Sequence, residues 1–115
     1  MNILIIQPSA LGDIIYTLYT VKLLHNFLKK YFTYVNIHWF CKIENNILEN
    51  QCEIRKVIKN KNLIKDNYNI IIDFGTKTDT LFLKYHIKNG IKIGFYKKEY
   101  SIKKKLTSFF NDYNI

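Results

Sequence analysis

The sequence predicts an α/β fold, a parallel sheet covered on both faces by helices, and three observations lead to it. The apolar runs Ile3–Ile6 and Ile70–Ile72 have the length and β-branching of strands buried on both sides. Stretches with helical apolar spacing alternate with these runs, the order expected of strand–helix–strand units. The first run ends in a tight turn that contains Pro8 and Gly12 and delivers a single carboxylate, Asp13, to the start of a helix. Parallel α/β sheets hold their ligands at such turns, at the carboxyl ends of strands.

Taken in order, residues 2–6 form the first strand and residues 13–31 an amphipathic helix. Ile14, Leu18, Val21, Leu24 and Leu28 follow three-and-four spacing and share its buried face, and Lys22, Lys29 and Lys30 fall off it. Lys29 and Lys30 also lie near the helix C-terminus, where the dipole favours cations. Thr33–Phe40, rich in β-branched and aromatic residues, is the second strand. Ile43–Asn50 has the spacing of a short helix, and Ile54–Ile58 reads as a third strand. Polar residues from Asn60 to Asn69 make a surface connection to the strand Ile70–Ile72, which ends at Asp73. Thr78–Lys88 is expected to be helical, with Leu81, Phe82 and Tyr85 inward, and Asn89–Gly90 to turn the chain into a fifth strand, Ile91–Phe95. Ser101–Phe110 closes the chain as a basic amphipathic helix.

Length and composition bound the function. A chain of 115 residues makes one domain with a real core, and a 48% hydrophobic content argues against disorder. No apolar run approaches the roughly 18 residues that span a bilayer, and the opening run lacks the basic stretch and length of a signal peptide. A cytoplasmic location is the expectation. Cys41 and Cys52 show no metal spacing and read as buried free thiols. The net charge of +9 invites an anionic partner, but of 18 basic residues only Arg55 is arginine, the residue suited to bidentate phosphate recognition. Abundant Ile, Asn, Tyr, Phe and Lys also match AT-rich codon usage. A nucleic-acid partner is therefore not expected, since charge alone supports it and no recognition motif accompanies the charge. No Gly-rich dinucleotide fingerprint or phosphate-binding loop follows the first strand, so no nicotinamide or ATP cofactor is expected. His25, His38 and His86 are scattered and receive no role.

Asp13 admits two readings from position alone: a helix N-cap, or a carboxylate presented to a ligand. The run Ile3 to Leu18, Ile-Leu-Ile-Ile-Gln-Pro-Ser-Ala-Leu-Gly-Asp-Ile-Ile-Tyr-Thr-Leu, is long and ungapped. It resembles the amino terminus of the bacterial heptosyltransferases, glycosyltransferase family 9, and is closest to the branch that adds the first heptose to the lipopolysaccharide inner core. That branch usually carries His and Pro where this chain has Tyr16 and Tyr19. Weaker similarities follow. Asp73-Phe74-Gly75-Thr76-Lys77-Thr78-Asp79-Thr80 stands at the family's Asp-x-Gln-Gly-x-x-Lys-Ser. Ile93-Gly94-Phe95 with Lys98-Glu99 resembles Ile-Gly-Phe-x-x-x-Arg-Glu, and Leu106–Asn111 resembles Leu-x-x-Phe-Tyr-Asn.

The resemblance implies a Rossmann-like sheet that forms the N-terminal half of a GT-B glycosyltransferase. Residues 1–115 would be the acceptor-binding domain, with the donor-binding C-terminal domain absent. It implies transfer of heptose from an ADP-heptose donor to the Kdo of lipid A's inner core, without a metal and with peripheral contact at the inner membrane. Asp13 would be the general base, on a loop of Ser9, Ala10, Leu11 and Gly12 that lines the acceptor site. Asp79 reverses the family's basic residue, Lys77 is the candidate substitute, and Lys98 stands at the family's arginine. Lys103, Lys104 and Lys105 either face acidic groups of the acceptor or form a solvated helix face. The isolated chain is expected to be inactive, and the alternative is a non-catalytic acceptor-binding module or a gene remnant.

Overall fold

A computed structural model of the chain describes every residue except 9, 44–45, 66, 76–82, 96–97, 99–100 and 109, and the side chains at 85–86, 103–104 and 107 are likewise outside the description. Among the described residues the elements are β1 (Asn2–Ile6), α1 (Leu11–Leu28), β2 (Asn36–Phe40), β3 (Ile54–Ile58), a 3₁₀ turn (Lys61–Leu63), β4 (Ile70–Asp73), α2 (Leu83–His86), β5 (Ile91–Gly94), α3 (Ile102–Ser108) and β6 (Tyr113–Asn114). The strands form one sheet in the order β3-β2-β1-β4-β5-β6, and every pairing is parallel. The expected α/β architecture is the observed one.

β1 lies in the middle. Ile3 and Ile5 pack with Ile37, Trp39 and the α1 residues Ile14, Leu18 and Val21 on one face. Leu4 and Ile6 pack with Phe40, Ile58, Tyr68, Ile71 and the α2 residue Leu83 on the other. Strict alternation along a strand buried on both faces explains why its sequence is a continuous apolar run. Each of these fully buried aliphatic side chains contributes roughly 1.5–3 kcal/mol relative to exposure.

Several boundaries differ from the sequence expectation, each for a local reason. α1 begins at Leu11 and ends at Leu28, two to three residues before the expected limits, because the chain turns over Lys29–Phe32 through bonds from Lys30 and Tyr31 to the Phe27 and Leu28 carbonyls. β2 starts at Asn36, the residue in register with Asn2 at the start of β1. No helix forms among the described residues of the stretch 43–50: residues 47–50 form turns, with Leu48 buried and the Asn50 and Gln51 side chains donating to the Asn46 and Ile47 carbonyls. β5 ends at Gly94, one residue short of Phe95. Much of the helix expected over 78–88, including Leu81, Phe82 and the side chain of Tyr85, lies outside the described residues, and the described turn ends at His86 and buries Leu83 and Lys84. α3 falls inside the expected 101–110. β6 has no apolar pattern to announce it.

α1 is less one-sided than its spacing indicates. Ile14, Leu18 and Val21 are buried and Leu24 and Leu28 half-buried, as expected. The opposite face is also apolar: Ile15, Tyr16, Tyr19, Leu23 and Phe27 are each at least 50% exposed. Lys22 is half-buried and reaches Glu53 at 3.9 Å. No described helix is long and apolar enough to cross a membrane.

The Asn89–Gly90 turn sets the entry to β5. Gly90 has φ +97°, and a Cβ there would lie 2.4 Å from the Tyr68 carbonyl oxygen. Only glycine relieves both the backbone strain and the clash. Gly90→Ala is expected to destabilise the fold by about 1–3 kcal/mol, read as a lowered urea midpoint with unchanged slope. An unchanged midpoint would contradict this turn geometry.

Candidate functional site

The strand order reverses at β1. The chain leaves β1 through α1 to reach β2 on one side, while β4 lies on the other. Ligands of open α/β sheets sit at such switch points, outside the carboxyl ends of the strands. Here Ile6 pairs with Asp73, so the β1–α1 turn and the end of β4 lie side by side.

The turn is anchored before it reaches the helix. Buried Gln7 donates its side-chain amide to Thr17 Oγ1 at 2.9 Å, and its carbonyl accepts from Trp39 Nε1 at 3.3 Å. Its backbone N–H donates to the Phe40 carbonyl at 3.2 Å, and the Phe74 N–H donates to the Ile6 carbonyl at 2.8 Å. α1, β2 and β4 therefore all hold the chain where it leaves β1, and every buried polar group named here has a partner.

Ala10 occupies the N-cap position with extended backbone (φ −63°, ψ 164°), and no side chain caps the helix. Its carbonyl accepts the first helical bond, from the Ile14 N–H at 3.2 Å. Leu11 and Gly12 are thus the first helical residues rather than part of a loop, and Ser9 lies outside the described residues. Asp13 is the third residue of α1, so the N-cap reading of Asp13 is corrected. It is exposed, in the first turn, where the helix dipole favours a carboxylate. Among the described residues, no hydrogen bond or ion pair engages its carboxylate. A Cβ built on Gly12 meets nothing within 4 Å, so the helix flank beside Asp13 is open.

The neighbouring carboxylate is in the opposite condition. Asp73 is 6% exposed, and its Oδ2 lies 2.9 Å from the ammonium of Lys84, itself 1% exposed. Asp73 Oδ1 accepts from the Gly75 N–H at 2.8 Å, closing the turn after β4. Lys84 also donates to Asn111 Oδ1. Asn111 donates onward to Asn114 Oδ1 at 2.8 Å. A Cβ on Gly94 would lie 2.2 Å from the Asn111 amide, so Gly94 makes room for this network. Burial pushes the Asp73 carboxyl above its ordinary range, and the Lys84 ammonium and the Gly75 amide oppose that rise.

Sequence reasoning placed Asp13 at the strand-to-helix turn and Asp73 at a strand end, and gave no role to Lys84 or Asn111. A lysine in an apolar helical stretch following a strand-terminal aspartate was the available signal, obscured by sixteen other lysines. Lys77 lies outside the described residues. Lys98 is exposed in a turn after β5, and no described bond joins it to the β1–α1 turn. Lys105 is half-buried on α3. Among the described residues no group of three metal-ligating side chains assembles. Neither Cys41 nor Cys52 is in a disulfide, and Cys52 is exposed rather than buried. Burial raises the Cys41 thiol above its usual range.

No family model and no curated protein sequence matches the chain. Its fold does match solved structures. One is the E. coli heptosyltransferase WaaC with ADP, at 18% identity and a TM-score of 0.73, matching all of this chain and 40% of that one. The same enzyme with ADP-2-deoxy-2-fluoro heptose matches at 17% identity and TM-score 0.74, over 100% of this chain and 42% of that one. A glycosyl transferase family 9 structure from Veillonella parvula DSM 2008 matches at 17% identity and TM-score 0.70, over 99% of this chain and 35% of that one. At these identities the likeness establishes a Rossmann-like fold of the kind found in GT-B glycosyltransferases. The chain spans about two-fifths of the length of the structures it resembles.

Two predictions follow from the site's electrostatics and thiols. Asp73→Asn leaves Lys84 buried without a counter-charge and is expected to cost about 3–5 kcal/mol in urea unfolding, most of it recovered in the Asp73→Asn/Lys84→Met double variant. Additive losses in the double variant would contradict the pairing. With an aromatic disulfide reagent, the native chain is expected to react quickly at Cys52 alone and at both thiols once unfolded; rapid native labelling of both would contradict the burial of Cys41.

Proposed function

We propose that this chain is the acceptor-binding part of a heptosyltransferase-like glycosyltransferase, acting with a donor-binding part at the cytoplasmic face of a membrane. The observation that supports it best is the joint one: the Ile3–Leu18 motif spans the switch point of a fold that matches WaaC over all of this chain and 40% of that one. The structures it resembles were solved with ADP and with an ADP-heptose analogue, which supports a nucleotide-sugar donor for the complete enzyme. The proposed acceptor is the Kdo of lipid A's inner core.

In this reading Asp13 is the general base. An exposed carboxylate at an open helix start can come within hydrogen-bond reach of a sugar hydroxyl and accept its proton. Asp13 takes the hydroxyl proton as that oxygen forms its bond to the donor's anomeric carbon. The bond from that carbon to the diphosphate breaks in the same displacement, releasing ADP and inverting the configuration. Ala10, Leu11 and Gly12 line the approach, and the anchored turn keeps Asp13 placed. Asp73, paired with buried Lys84, shapes the floor and takes no proton. Without a donor-binding part to close over the reactants, proximity and water exclusion are lost, so the 115-residue chain alone is proposed to be inactive.

Joining this domain to a homologue's donor domain tests the assignment. Asp13→Asn keeps the shape and hydrogen bonding of the side chain and removes its basicity. The rate constant for transfer is expected to fall by roughly 10²–10⁴ with unchanged thermal stability. An Asp13→Asn chimera as active as its parent would reduce Asp13 to a favourable helix-dipole charge.

A further inference from the structure

At the amino ends of the strands, opposite the proposed transfer site, the β2–β3 pairing contains an irregularity. Ile37 pairs with Ile54 and His38 with Lys56, so Arg55 is an extra residue on β3. Such bulges break side-chain alternation and re-aim the residues around them. Here Ile54 and Val57, three positions apart, both pack into the core beneath α1. The intervening Arg55 and Lys56 are both exposed, and both line one cavity of about 400 Å³ with His38, Asn2 and Asn36.

The polar wall of this cavity is held in place. Asn36 Nδ2 donates to Asn2 Oδ1 at 3.1 Å, and the Asn2 backbone N–H donates to Asn69 Oδ1 at 2.8 Å. His38 Nδ1 lies 2.8 Å from the Tyr68 hydroxyl, with the two rings edge-on at 5.5 Å. Among the described lining residues there is no carboxylate. In a chain with 17 lysines, the sole arginine therefore stands at a bulge beside a lysine and a histidine, in a concavity of ligand-binding size. A planar guanidinium offers two parallel N–H donors to an oxyanion, and the lysine adds a point charge.

We infer that this cavity is a binding site for the phosphate group of a small phosphorylated molecule, with Arg55 as the bidentate donor, Lys56 as a point charge, and His38, Asn2 and Asn36 as its polar lining. The site is separate from the β1–α1 turn and does not depend on the glycosyltransferase reading. A concave site favours a soluble phosphomonoester over an extended polyanion, whose backbone needs a groove or stripe of positive charge.

Amide and imidazole NMR shifts of the full chain, titrated with inorganic phosphate at low ionic strength, test it. Saturable shifts are expected at Asn2, Asn36, His38, Arg55 and Lys56, and Arg55→Gln is expected to weaken binding by roughly tenfold or more. Lys30→Gln, in the turn after α1, the helix that covers the opposite face of the sheet, should leave it unchanged. Arg55 is exposed, so folding of the variant is expected and is checked by circular dichroism; Lys56→Gln supplies a second variant. Shifts scattered over the lysine-rich surface, equal weakening by Lys30→Gln, or no saturable binding would overturn the proposal. Binding of phosphatidylglycerol vesicles or a short RNA through these residues, with free phosphate inert, would also overturn it.

Discussion

β1 is buried on both faces and hydrogen-bonded on both edges, and the remaining structure is registered to it. Its odd-numbered residues pack beneath α1 and its even-numbered ones face α2, so a shift of one position would place each side chain in the wrong core. Its pairings set Asn36 opposite Asn2 on one side and Asp73 opposite Ile6 on the other. The turn that follows inherits this order, because Gln7 bonds to Thr17, Trp39 and Phe40 at once. A carboxylate placed at the start of α1 is consequently placed relative to the whole sheet.

The two carboxylates at this end of the sheet illustrate how environment divides labour. Asp73 is enclosed, paired with Lys84 and tied to the Gly75 amide, an arrangement that fixes the end of β4. Asp13 is exposed beside an open flank. In the proposed role, a group that accepts a proton from an arriving hydroxyl needs access, which the exposed Asp13 carboxylate offers. Buried ion pairs add little net stability but are costly to break, which suits Asp73 and Lys84 to fixing geometry rather than to chemistry.

Much of the fold was legible because the strands are buried on both faces and their apolar runs are unambiguous. Ile54–Ile58 has its expected limits, and the Asn89–Gly90 turn is where the dipeptide indicated it. What was not legible depends on tertiary neighbours. The 43–50 segment has helical spacing, yet Leu48 reaches the core from a turn. α1 is apolar on both faces, so periodicity could not reveal that Tyr16 and Tyr19 stay exposed. The position of Asp13 at the strand–helix junction was readable, but its exact helical position was not, because Ala10 takes the cap without a side-chain bond. Lys84 was obscured in the sequence because its significance rests on Asp73 and Asn111, 11 and 27 positions away. The β3 bulge likewise depends on its pairing with β2.

The central claim is the proposal that the β1–α1 turn of this sheet binds the acceptor and that the donor is bound elsewhere. Its most direct test is a pair of NMR titrations of the chain, one with a Kdo-bearing lipid A acceptor and one with ADP-heptose. The account predicts saturable acceptor-induced shifts at Gly12, Asp13, Phe74 and Gly75, and no donor-induced shifts at those four residues. Donor binding at the β1–α1 turn, or an acceptor that leaves all four unmoved, would contradict it.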